Sequence, residues 1–129
     1  MISPSAIDHL CLVVTSLSRA REYYRRLFEF RFTPRDGDPG TLVAESAQVH
    51  FFITEVPDAP PDFVRLQHIS FRVEDLDAVK SRLTAAGITD FRTGQVDFFS
   101  RNNYRWCEWR DPDGIRLECV QAIESVRPA

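Results

Sequence analysis

Apolar positions along this chain follow two periods that alternate in a fixed order. In "IDHLCLVV" (7 to 14), Leu10, Leu12 and Val14 fall on one face and His9, Cys11 and Val13 on the other, the two-residue alternation of a half-buried strand. The pattern then becomes helical, with Ala20, Tyr24, Leu27 and Phe28 as an apolar stripe and Ser18 placed to cap its start. At a constant offset of 59 residues (His9 to His68, Val14 to Val73, Leu17 to Leu76) the arrangement returns in "LQHISFRVEDLDAVKSRL". There Ile69, Phe71 and Val73 oppose His68, Ser70 and Arg72. A helix follows, carried by Leu76, Val79, Leu83 and Ala86, capped by Asp77 and stopped at Gly87.

After each helix the period shortens again. Strands are expected near 30–33, 41–45 and 48–55 in the first half, separated by "PRDGDPG" and a tight turn near Ser46. In the second half they fall near 91–97, 104–110 and 115–122, the last two joined by "DPDG", where Gly114 supplies a positive φ. The pattern predicts an α+β protein of two tandem βαβββ modules, module one about 5–55 and module two about 66–123. The proline-rich linker 56–65 contains "VPDAPPD", which is expected to break helix and strand alike. Strands of such modules, curled as a mixed sheet into a half-barrel, would turn their helix-free faces toward a common concave interior.

The chemistry concentrates on those faces. His9 and His68 lie on them in the first strand of each module. In "QVHFFIT", Val49, Phe51 and Ile53 form the apolar set, which leaves His50 with Gln48 and Phe52. In "IRLECVQ", Ile115, Leu117 and Cys119 are apolar, which leaves Glu118 with Arg116 and Val120. Taken singly, each histidine has an ordinary structural explanation. Taken together, all three and one glutamate share the minority face, where unsatisfied polar atoms would cost roughly 1–3 kcal/mol each. A divalent transition metal (zinc, nickel, cobalt, manganese or iron(II)) at His9, His50, His68 and Glu118 removes that cost. Calcium and magnesium prefer all-oxygen shells.

Composition narrows the partners. The chain has 129 residues, 43% hydrophobic and 27% charged, enough for one domain that folds without staples. Its net charge of -3 offers no basic footprint for nucleic acid, and no apolar run or polybasic patch suits a membrane. The start "MISPSAIDHL" lacks a secretory pattern, so a cytoplasmic location is expected. Cys11, Cys107 and Cys119 show no metal or disulfide spacing and are expected to be small apolar strand residues. A small-molecule partner is the remaining expectation.

With "DHL" at His9, "LQHISFRVEDLD" at His68 and "DPDGIRLE" ending in Glu118, the chain resembles the vicinal oxygen chelate superfamily over almost its whole length. That group includes glyoxalase I, fosfomycin-resistance thiol transferases, methylmalonyl-CoA epimerase, extradiol dioxygenases and metal-free bleomycin-resistance proteins. The resemblance implies a single glyoxalase-like domain, paired modules around a metal-centred cleft, commonly in a homodimer, with ligands from the first and last strands of each module. His50 stands where glyoxalase I places glutamate, a departure that argues against glyoxalase activity proper.

The ligand count divides the chemistry. Four ligands leave an octahedral metal two open positions, which suits a lyase or isomerase acting on a small oxygen-chelating substrate. Were His50 outside the ligand sphere, His9, His68 and Glu118 would match the 2-His-1-carboxylate triad of iron(II) oxygenases. A binding protein that sequesters an antibiotic or other ligand is a third alternative. Glu118 is the candidate base, by its alignment with the glutamate of glyoxalase-like enzymes. Glu108 is a second carboxylate, expected to be exposed. Arg72 and Arg116 would meet an anionic group. Phe52, Phe99, Tyr104 and Trp106, with the neighbouring Phe98 and Trp109, would wall an apolar substrate pocket.

Overall fold

The computed structural model of the chain describes residues 1–97 and 103–123. Two compact units divide it, Met1–Val64 and Arg65–Ala129. The first holds β1 (Cys11–Val14), α1 (Leu17–Leu27), β2 (Arg31–Arg35), β3 (Asp38–Glu45) and β4 (His50–Glu55). Its sheet runs β1-β4-β3-β2, with β1 parallel to β4 and the other pairs antiparallel. A short helix α2 (Pro61–Leu66) precedes the second unit's β5 (His68–Arg72), α3 (Leu76–Ala85), β6 (Arg92–Val96), β7 (Tyr104–Arg110) and β8 (Arg116–Ala122). That sheet runs β5-β8-β7-β6, again with the outer pair β5–β8 parallel. Each unit is therefore a βαβββ module, as the repeated pattern predicts.

The alternation sorts each sheet into two faces. In the first unit Leu12, Val14, Leu42, Phe51 and Ile53 are buried together with Ala20 and Tyr24 of α1. In the second, Ile69, Phe71, Cys107, Leu117 and Cys119 are buried, as are Leu76 and Leu83 of α3. A fully buried Ile53 or Leu117 contributes about 1.5–3 kcal/mol of apolar burial. Cys107 and Cys119 behave as small apolar residues, and burial pushes the Cys119 thiol up to about 12. Cys11, by contrast, is exposed.

Several boundaries differ from the sequence expectation. Both helices start earlier than Ser18 and Asp77 would allow. The caps are Ser16, which accepts from Arg19 N at 3.3 Å, and Asp75, which accepts from Ala78 N at 3.2 Å. A cap needs extended backbone, and Ser16 (φ −141°) and Asp75 (φ −136°) have it. The linker is not free of structure: "PPDFVRL" enters α2 at Pro61, because proline at a first helical position sacrifices only an amide that would lack a partner there. Strand β1 begins at Cys11, so Leu10 is 39% exposed and does not join the apolar face. "PRDGDPG" shrinks to the two-residue loop Asp36–Gly37, since Arg35 already pairs with Asp38. "DPDG" closes as expected: Gly114 has φ +85°, and the buried Asp111 carboxylate accepts from Asp113 N and Ile115 N.

Candidate functional site

In the first unit, β1 and β4 bring His9 and His50 together. Although His9 precedes β1, Phe52 N donates to Leu10 O at 2.9 Å, so the pairing holds the chain beside β4. The ring centroids of His9 and His50 lie 5.7 Å apart. Phe52 packs against both, 4.5 Å from His9 and 5.4 Å from His50, and the Arg35 guanidinium sits 5.1 Å from the Phe52 ring centre. His9 Nδ1 stands 2.7 Å from the Asp8 carboxylate, which leaves Nε2 as the open nitrogen. This contact, first as a hydrogen bond and then through charge, holds the Asp8 carboxyl below the usual carboxylate range.

In the second unit, His68 and Glu118 meet. Glu118 is in register with Ser70, one step diagonal from His68, and His68 Nε2 lies 3.5 Å from Glu118 Oε1. The Glu118 side chain is only 14% exposed. His68 Nδ1 is 3.1 Å from the Arg116 carbonyl oxygen and 3.1 Å from Arg116 Nε. On the same face Tyr104 and Trp106 are half-buried, Trp106 resting on Gly94. A Cβ at position 94 would lie 2.4 Å from the indole, so glycine is what lets the ring settle there. Arg72 is exposed at the end of β5. Phe98 and Phe99 lie outside the described residues.

One layer of the site was missed by sequence reasoning. Glu45 is the register partner of His50, and Glu108 that of Glu118. Each is paired on its other side with an arginine of the edge strand, Arg31 for Glu45 and Arg92 for Glu108. Arg31 Nη2 reaches Glu45 Oε1 at 2.6 Å and holds that carboxyl below its ordinary range, by hydrogen bond first and charge second. Glu108 is not the exposed glutamate expected: its side chain is 17% exposed, between Arg92 at 3.8 Å and Arg116 at 3.7 Å. Both modules thus back the last-strand candidate with a glutamate–arginine pair at the same topological position. The two guanidiniums also offset the repulsion between Glu108 and Glu118 on neighbouring strands.

Comparison with known proteins accords with this architecture. The model of the Glyoxalase/Bleomycin resistance protein/Dioxygenase superfamily matches residues 6–119. The chain belongs to this superfamily. It is 24% identical to the uncharacterized protein YaeR of Escherichia coli (strain K12), covering 94% of this chain and 99% of that one. Among solved structures, one from the mobile metagenome of V. Pseudocholerae superposes with a TM-score of 0.78 at 17% identity, covering 96% of this chain and 99% of that one. A bleomycin-binding protein complexed with bleomycin superposes at 0.68 and 18% identity, covering 91% and 98%. These likenesses show the fold.

Members of the superfamily commonly bind divalent metals, and the donors fit one in chemistry. Three imidazoles and a carboxylate are the set that borderline transition metals take. His9 carries the outer carboxylate hydrogen bond typical of ligating histidines, and the Arg116 carbonyl is placed to give His68 the equivalent. Among the described residues, no three or more His, Cys, Asp or Glu side chains group at metal-holding range. No helix among the described residues is long and apolar enough to cross a membrane.

Proposed function

We propose that this chain is a divalent-metal-dependent lyase or isomerase of the glyoxalase-like type, acting on a small oxygen-chelating substrate. The observation that carries this is the placement of His68 Nε2 beside Glu118 Oε1, repeated in kind by His9 and His50 at the matching strands of the other module. His9, His50, His68 and Glu118 would hold the metal, which supplies a Lewis acid for adjacent substrate oxygens. With an Oε atom free to act, Glu118, largely shielded from water, would take a proton from the carbon beside those oxygens and return it to form the product. Arg72 would meet an anionic group of the substrate, with Arg116 as a second cation. Phe52, Phe99, Tyr104 and Trp106 are assigned to the apolar wall of the substrate site from the sequence pattern.

Support for a second alternative comes from His50. Among the described residues its ring contacts are with His9 and Phe52, and no hydrogen bond ties either nitrogen back. That favours an iron(II) extradiol-type dioxygenase built on His9, His68 and Glu118. A third, binding without chemistry, draws on the likeness to the bleomycin-binding protein. Titration calorimetry of the metal-stripped protein with nickel, zinc, cobalt, manganese and anaerobic iron(II), followed by assays of the loaded forms, separates them. Turnover of epimerisable or hydroxyacyl-thiol substrates supports the lyase or isomerase. Oxygen consumption with catechols by the iron form alone supports the dioxygenase, and ligand binding with no metal uptake supports the binding protein. We further propose a homodimer and a cytoplasmic location, which light scattering and cell fractionation test.

A further inference from the structure

His68 Nδ1 faces two groups of one residue, the carbonyl oxygen and the Nε–H of Arg116, each at 3.1 Å. A neutral imidazole nitrogen can serve only one of them. Protonated, Nδ1 donates to the carbonyl and leaves a lone pair on Nε2. Unprotonated, it accepts from Nε, and the proton moves to Nε2, 3.5 Å from Glu118 Oε1. The arginine always carries its N–H, so the position of its side chain selects between the two. In the second arrangement the Nε2–H faces the Glu118 carboxylate at 3.5 Å, and His68 has no lone pair to offer on Nε2. In the first, that lone pair is free.

From this geometry we infer that Arg116 is a positioning residue that sets the His68 tautomer and thereby opposes metal binding until its guanidinium moves to Glu108. Glu108 Oε2 is already 3.7 Å from Arg116 Nε. A groove of about 100 Å³, lined in part by Arg92, Glu108 and Arg116, gives the side chain room to swing. The switch is one of tautomer and not of charge. The inference deepens the proposed metal site and rests on it for the binding consequence alone.

The experiment is 15N NMR of His68 in the metal-free protein at about pH 8.5, roughly two units above an ordinary imidazole pKa, paired with zinc competition against a chromophoric chelator. In wild type the Nε2–H tautomer is expected to dominate. In both Arg116→Met and Arg116→Lys, Nδ1–H is expected instead, with zinc bound about 3- to 10-fold more tightly. Lysine keeps the charge but not the directed Nε–H, so the tautomer effect should not survive that change. Glu108→Gln should weaken zinc binding, and that loss should vanish in the Glu108→Gln, Arg116→Met double variant. An unchanged tautomer in both Arg116 variants, or tighter zinc in Met but not Lys, overturns the inference. A tautomer shift in a protein that takes up no zinc keeps the role of Arg116 and sinks the metal proposal.

Discussion

His68 and Glu118 face each other diagonally across the parallel β5–β8 pair, with Nε2 3.5 Å from Oε1. If the pair holds a metal, Glu118→Gln removes both a donor and a charge. Its metal affinity should fall by roughly 100-fold or more, beyond the ~10–100-fold seen when only an outer partner is lost. Titration calorimetry checks this, and loss of less than tenfold would remove Glu118 from the ligand set.

Asp8 tests the outer layer. Its carboxylate is exposed and its one evident task is to hold His9 Nδ1 at 2.7 Å. Asp8→Asn should therefore weaken metal binding by about 10–100-fold while the thermal midpoint stays nearly fixed. A large fall in thermal midpoint would instead make the contact structural.

The Arg31–Glu45 pair predicts a pH effect of defined sign. Because Arg31 holds the Glu45 carboxyl below its ordinary value, the pair's contribution is present at and above that value and is lost as pH falls through the depressed one. Carboxyl-detected NMR titration should find Glu45 low in wild type and back at its ordinary value in Arg31→Ala. An unmoved Glu45 titration would contradict the assignment.

Much of the fold was legible because the strand–helix opening of each module repeats at a constant offset of 59, and alternation alone separates His9 and His68 from the apolar face. The later strands were less so. Loops of different length stretch the offset, so that Arg31 answers to Arg92, Glu45 to Glu108 and His50 to Glu118 only through register. No local pattern marks Glu45 or Arg92 as part of the site, because their importance lies in which residue they face across a strand pair. The caps were misplaced for a related reason: Ser16 and Ser18, like Asp75 and Asp77, are equally good capping types, and backbone conformation chooses between them.

Gly94 and Trp106 give a stability test. A Cβ 2.4 Å from the indole cannot be accommodated without moving the ring, so Gly94→Ala should cost about 1–3 kcal/mol, as overpacking typically does. Denaturant unfolding followed by tryptophan fluorescence would show it, and an unchanged midpoint would mean that the indole is free to leave Gly94.

The cysteines should differ in reactivity. Cys119, pushed up to about 12 by burial, and the buried Cys107 hold little thiolate at pH 8, whereas Cys11 is exposed. Mass spectrometry after iodoacetamide should find one label per native chain, on Cys11. Rapid labelling of Cys119 would contradict the burial of β8.

The central proposal is a metal held by His9, His50, His68 and Glu118. Plasma mass spectrometry of purified wild type beside His50→Ala tests it most directly. The account predicts near-stoichiometric nickel, zinc, cobalt or manganese in wild type and a clear fall in the variant. Equal metal in both would remove His50 from the ligand sphere. No metal in wild type, even after reconstitution, would contradict the proposal outright.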